Sequence, residues 1–170
     1  MRRIITIHVN SGAEGAAVVE LEARIQIQED MEHIRMLKAK YWRCLDRKLW
    51  GELAEVFDDN FVGDGPDGHH EGKTAMIQFL KGIIGSEDVR TAHAGHNPEI
   101  VITSESTARA IWPLTDYVSF GPKRKFVGYG HYEDEYVKKD GQWKMKSSRL
   151  SRIAEEWTIT DPAHQQWTQV

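Results

Sequence analysis

The sequence predicts an α+β domain in which helices come first and pack on one face of a curved antiparallel sheet. Three observations predict it. Ile27, Ile34, Leu37, Tyr41, Cys44 and Leu45 recur at helical spacing in the first part of the chain. From Val89 onward, alternation with a period of two takes over in long segments. Those segments are separated by short turns, Ser104-Glu105-Ser106, Gly121-Pro122 and Lys139-Asp140-Gly141, so sequential strands form an antiparallel meander. Helices followed by strands bury their apolar faces against each other. The result is a cone-like roll with a pocket between the long helix and the concave sheet.

Residues 1–19 read as an N-terminal extension, broken by Asn10-Ser11-Gly12 and Gly15. The domain proper is expected over 20–160, with a C-terminal tail at 161–170. Its first element is a long helix, Leu21 to Leu49, followed by a short one from Trp50 to Phe57 that ends at Asp58-Asp59-Asn60. Phe61-Val62 starts a short strand, closed by the turn-rich Gly63-Asp64-Gly65-Pro66-Asp67-Gly68. Gly72 to Ile84 reads as a third helix with Met76, Ile77, Phe79, Leu80 and Ile83 apolar and Gly85 as its stop. The strands expected are Thr91–Ile102, Thr107–Phe120, Lys125–Lys138 and Gln142–Ala154.

At 170 residues the chain is long enough to bury a real core, and 40% hydrophobic with 28% charged residues is a soluble, globular composition. A net charge of −4 gives no reason to expect a nucleic-acid partner. One cysteine, Cys44, excludes an internal disulfide and fits a cytoplasmic protein. No apolar run is long enough to span a bilayer, and no Gly-rich phosphate motif implies a nucleotide cofactor.

One strand face carries the chemistry. Ala110, Trp112, Leu114, Asp116, Val118 and Phe120 alternate to one side, so Asp116 points inward among large apolar groups. An unpaired buried carboxylate is costly, and it needs a partner or a raised pKa. His93, on a strand that neighbours it in the meander, is the expected partner. A carboxylate bonded to one imidazole nitrogen fixes the tautomer and raises the basicity of the other, making a general base. The plainer alternative is a satisfied core histidine beside a structural aspartate. Tyr41, mid-arc on the apolar helix face, points into the pocket, either as a packing tyrosine or as a donor to an oxygen that gains charge.

The same residues carry a resemblance. Tyr41-Trp42-Arg43-Cys44-Leu45-Asp46 resembles the first motif of bile acid 7α-dehydratases, in the SnoaL-like group of the nuclear-transport-factor-2-like superfamily. His93-Ala94-Gly95-His96-Asn97-Pro98-Glu99-Ile100 is similar to the second. Trp112 with Leu114 and Asp116 is similar to the third, and Asp140-Gly141-Gln142-Trp143 followed by Arg152-Ile153 to the fourth. The matches run in family order from about residue 25 to 157. The resemblance implies a nuclear-transport-factor-2-like, cystatin-like roll and a cofactor-independent dehydratase acting on a hydrophobic, carbonyl-bearing ring, with a CoA thioester among the forms of substrate. It implies catalytic positions at Tyr41, Asp46, His93, Asp116 and Arg152, with Trp112, Leu114 and His131 binding substrate. His131 stands where the family has an aromatic residue. Scytalone dehydratase, in the same superfamily, resembles a two-histidine version of this pocket. Cyclase, isomerase and non-catalytic ligand-binding relatives share the fold.

Two of these positions stay open on geometry. Asp46 lies roughly 140° around the helix from Tyr41, at the edge of the apolar arc, where a surface or capping residue would sit. Trp143 and Met145 make odd positions face inward, so Arg152 turns inward only if a bulge near Ser147-Ser148 reverses the parity; otherwise Arg149 does. His69-His70-Glu71 reads as a solvated loop rather than a metal site, and His93 and His96 are three apart, facing opposite sides of a regular strand. Lys123-Arg124-Lys125 reads as an exposed hairpin rim. Large side chains on both sheet faces, with Arg109, Tyr117, Tyr129 and His131 outside, point to an oligomer interface. The resemblance makes that oligomer a homotrimer.

Overall fold

The computed structural model describes residues 13–122 and 124–159. Residues 1–12 of the expected extension, the tail at 161–170 and Lys123 of the hairpin rim lie outside the described residues. The elements are α1 (Ala13–Asp46), α2 (Trp50–Val56), β1 (Phe57–Gly65), β2 (Gly68–Glu71), α3 (Lys73–Ile84), β3 (Val89–Gly95), β4 (Glu99–Ser104), β5 (Thr107–Phe120), β6 (Arg124–Lys139) and β7 (Gln142–Ile159). Helices pack on one face of a curved, unclosed sheet, as the α+β reading expects. No helix among the described residues is long and apolar enough to cross a membrane.

The sheet is mixed, which corrects the expectation of a purely antiparallel one. Its order is β2-β1-β7-β6-β5-β3, and β4 also pairs with β5. The chain forms the β1–β2 hairpin, crosses through α3 to the other edge, and returns strand by strand until β7 lies beside β1 in parallel. The long expected strand at 91–102 is two strands. His96-Asn97-Pro98 interrupts it, because proline cannot donate to a ladder. β3 then pairs with the second half of β5 and β4 with the first.

The sequence placed the start of α1 at Leu21; the helix begins at Ala13. Its N-terminal half is exposed, and only from Asp30 does a buried stripe begin, through Ile34, Lys38, Tyr41, Trp42, Cys44 and Leu45. That stripe crosses the concave face. Trp42 meets Trp112 edge to face at 5.5 Å, and Tyr41 meets Phe57 at 5.9 Å. The helix end is tied to the sheet by Lys48, whose Nζ donates to the carbonyls of Ser86 and, at 2.8 Å, of Val89. This anchors the last turn of α1, and hence Asp46, over the start of β3.

Trp42 also explains Gly95. A Cβ at residue 95 would overlap the far edge of the Trp42 indole, so only glycine lets β3 end beneath this ring. Gly95→Ala forces the indole or the strand to move. It should destabilise the protein by about 1–3 kcal/mol, as overpacking typically does, read as a lower urea midpoint with an unchanged slope.

Candidate functional site

A cavity of about 450 Å³ lies between α1, α3 and the concave sheet. Its wall on the α3 side is apolar, with Met76, Phe79, Leu80 and Ile83. Its floor is polar, with Tyr41, His93, Asp116, Tyr132, Ser148 and Arg152.

His93 is a Cα partner of Asp116 in the β3–β5 register, so the two strands are neighbours as expected. Their side chains do not pair. His93 Nδ1 is 2.6 Å from Asp46 Oδ1, and the His93 backbone N–H donates to Asp46 Oδ2 at 3.0 Å. Thr91 Oγ1 donates to Asp46 Oδ1 at 2.8 Å. The expected His93–Asp116 dyad is therefore corrected to His93–Asp46. Reach decides it: the anchored end of α1 brings Asp46 to both the ring and the backbone of His93. The helix-edge position that looked like a surface site is the one that overhangs β3.

Burial raises the Asp46 carboxyl, but the hydrogen bonds from the His93 ring, the His93 backbone and Thr91 outweigh it and hold the carboxyl below its ordinary value. An ionised carboxylate only accepts, so Nδ1 carries a proton toward it and Nε2 is the nitrogen left free of Asp46. The His93 side chain is 8% exposed and lines the cavity.

Asp116 does point inward, and its partner is Arg152. Nη1 and Nη2 donate to Oδ1 and Oδ2 at 2.5 and 2.8 Å, a fork-to-fork pair. Arg152 faces inward because β7 is bulged where β6 passes from Glu135 to Tyr136: Tyr136 pairs with Met145 and Glu135 with Ser147, leaving Lys146 extra. The inward set then changes from Trp143 and Met145 to Ser148, Leu150 and Arg152, and Arg149 faces out. The expected bulge is present one residue earlier than Ser147. The pair also needs Gly128. A Cβ there would overlap both Arg152 Nη1 and Asp116 Oδ1.

Tyr41 and Tyr132 meet edge to face at 6.2 Å. Burial holds Tyr41 well above the ordinary phenol value, with Tyr132 and Asp134 adding to it. Burial also pushes Tyr132 up to about 12. Both phenols line the cavity, so their oxygens stand together at its floor. Beneath them is a sealed ion pair, Lys38 Nζ to Asp134 Oδ2 at 2.7 Å. Asp134 also accepts from Tyr136 at 2.7 Å and Ser148 at 2.6 Å, and the Tyr136 oxygen accepts from Trp112 Nε1 at 3.0 Å.

The three positions expected to bind substrate are not among the residues that line the cavity. Trp112 and Leu114 face inward but are buried, Trp112 under Trp42. His131 lies on the convex face, because Tyr132 and Gly130 hold the inward parity of β6. The stretch read as a solvated loop is strand β2. There His69 bonds Asp64 and Glu71, while His70 stacks on Phe79 at 3.8 Å and lines the cavity. Tyr132, Lys38 and Asp134 were missed, although parity marks all three: Lys38 sits in the Ile34–Tyr41–Leu45 stripe, and Asp134 and Tyr132 alternate with outward residues as Asp116 does.

A family model described as SnoaL-like domain matches residues 26–149. The solved structure of a candidate scytalone dehydratase from Novosphingobium aromaticivorans is 26% identical, with 85% of this chain and 99% of that chain covered and a TM-score of 0.73. Hexachlorocyclohexane dehydrochlorinase LinA-type3 from Novosphingobium barchaimii is 16% identical over 86% of this chain and 99% of its own, at a TM-score of 0.72. A candidate aromatic ring hydroxylase from Novosphingobium aromaticivorans is 18% identical over 78% and 94%, at 0.68.

The Asp46 interactions set a pH dependence. A carboxyl held below its unfolded value stabilises the fold above the ordinary aspartate pKa of 3.8 and loses that contribution as pH falls through its lowered value. The stability difference between the wild type and Asp46→Asn, from urea titrations, should therefore shrink from pH 6 to pH 3.

Proposed function

The chain belongs to the SnoaL-like domain family, and from that premise we propose that it is a cofactor-independent lyase that eliminates water from a hydrophobic, carbonyl-bearing ring. The observation that carries the reading is the His93–Asp46 dyad, whose imidazole lies on the floor of an open cavity. His93 Nε2 removes the proton made acidic by the carbonyl. The electron pair of the broken C–H bond forms the C=C bond, the C–O bond breaks, and the leaving hydroxide takes the proton back from His93 as water. Tyr41 stabilises the oxygen that gains charge. Asp116 keeps Arg152 aimed at the cavity, where the guanidinium orients the polar end of the substrate.

Support comes from the candidate scytalone dehydratase and from a dehydrochlorinase among the similar structures, since both names describe eliminations. The order of Tyr41, Asp46, His93, Asp116 and Arg152 resembles that of bile acid 7α-dehydratases, and the resemblance favours fused-ring hydroxy-ketones or their CoA thioesters. An accessory, non-catalytic role would suit a filled cavity; this one is open. A cyclase or isomerase would use the same dyad without losing water. Incubation with 3-oxo-steroid and polyketide-like hydroxy-ketones separates these readings. New conjugated absorbance with loss of one water by mass supports the lyase; a product of unchanged mass supports isomerisation, and no product with any of them counts against an enzyme of this class.

On a substrate so found, His93→Gln and Asp46→Asn should each lower kcat by about 10²–10⁴-fold. Asp116→Asn acts through Arg152 and should raise KM more than it lowers kcat. Steady-state kinetics of the three variants distinguishes this from the His93–Asp116 dyad, in which Asp116→Asn would cost as much kcat as Asp46→Asn.

The same reading includes a cytoplasmic homotrimer built through the convex sheet face, where Ile111 and Tyr129 are exposed. Light scattering at micromolar concentration should give a trimer mass; a stable monomer would remove the interface, and a dimer would remove the trimer.

A further inference from the structure

The floor of the cavity is shaped by two inward glycines. Along β6 the inward positions are Phe126, Gly128, Gly130, Tyr132, Asp134 and Tyr136. Gly128 leaves room for the Asp116–Arg152 pair, and the β7 bulge opposite Gly130 places the Ser151 carbonyl where a Cβ would be. Tyr132 is thus the first side chain on this strand beyond the ion pair, and it lines the cavity. It stands between the Asp116–Arg152 pair on one side and Tyr41, from α1, on the other.

Tyr132 is also held from below. Lys38 Nζ lies 3.9 Å from the centre of its ring and 4.7 Å from that of Tyr41. The ammonium itself is fixed by Asp134, and Asp134 by Tyr136 and Ser148. A cation against the π-face draws electron density from a phenol and makes its hydroxyl a stronger donor. Neither Tyr41 nor Tyr132 is among the sealed, unpartnered polar groups of the described residues. Asp134, by contrast, already accepts three hydrogen bonds and has no access to the cavity.

We propose that Tyr132 is a further catalytic residue: its hydroxyl donates to the same substrate oxygen that Tyr41 serves, the two phenols forming a paired donor site at the cavity floor. The inference rests on the elimination beside a carbonyl proposed above, and it sharpens the substrate class. The carbonyl oxygen must sit at the β6 floor and be conjugated with the carbon whose proton faces His93. Lys38 is a positioning residue, since it touches the phenols and not the cavity.

The test uses p-nitrophenol, whose apolar ring fits such a cavity and whose phenolate oxygen stands in for an enolate. Its absorbance reports both binding and ionisation. Wild-type protein should bind it saturably and favour the phenolate. Tyr132→Phe, with its melting temperature checked, should weaken binding about tenfold or more, as loss of a hydrogen bond to a charged oxygen does. Tyr41→Phe should weaken it too, and the double variant should bind more weakly than either single one. If Tyr132→Phe does not fold, 3-fluorotyrosine at position 132 keeps ring and hydroxyl but makes the donor more acidic, and binding should tighten. Unchanged affinity in the folded Tyr132→Phe or fluorinated protein overturns the proposal, as does absence of saturable binding to wild type. No turnover is needed, so failure of the lyase reading is seen separately, in the product assay.

Discussion

The buried pair of Lys38 and Asp134 is the constraint on which the rest depends. Both side chains are wholly buried where α1 crosses the concave sheet. Two charges there are tolerable only because they meet each other and because the remaining capacity of the carboxylate is filled by Tyr136 and Ser148. Removing one partner from such a pair typically costs about 3–5 kcal/mol, since it strands the other charge. The pair joins the helix to β6 and β7, fixes the rings of Tyr41 and Tyr132, and so sets the base of the cavity. An all-apolar contact at this point would pack the helix equally well. It would not place a cation against the rings of both phenols.

Around that base, the site separates its carboxylates by task. Asp46 meets an imidazole and stays ionised, so it fixes a tautomer and leaves Nε2 free. Asp116 meets a guanidinium in a bidentate fork, so its charge is spent on orienting Arg152. The two pairs meet where β3 runs beside β5, and each suppresses the alternative. Asp116, already doubly bonded, has no geometric reason to turn to His93, and His93 is held by Asp46 at both its ring and its backbone.

How much of this the sequence carried follows from which signals are local. Helix spacing and strand alternation are local, so α3, β5 and β6 appear within a residue or so of where the pattern puts them. Gly85 ends α3 as expected, with its N–H on the Lys81 carbonyl. Parity is local too, and it placed Asp116 inward correctly. The parallel β1–β7 contact is not local: it joins residues more than 80 apart, and nothing in either strand marks its neighbour. Pro98 was visible, and its effect on the ladder was the cue to split 91–102 that the alternation obscured.

The misassigned dyad shows where pattern reasoning stops. Register makes His93 and Asp116 Cα partners, and that much the order of strands implies. Which carboxylate reaches the ring depends on side-chain reach from a third element. Asp46 gets there because Lys48, two residues on, clamps the end of α1 to the carbonyls of Ser86 and Val89. Arg152 gets to Asp116 because a bulge at Lys146 shifts parity and Gly128 clears the path. Each is a one-residue feature with a long-range consequence. The five candidate residues were legible by type and order. Their pairing was decided by a lysine clamp, a bulge and a missing Cβ, none of which has a period to read.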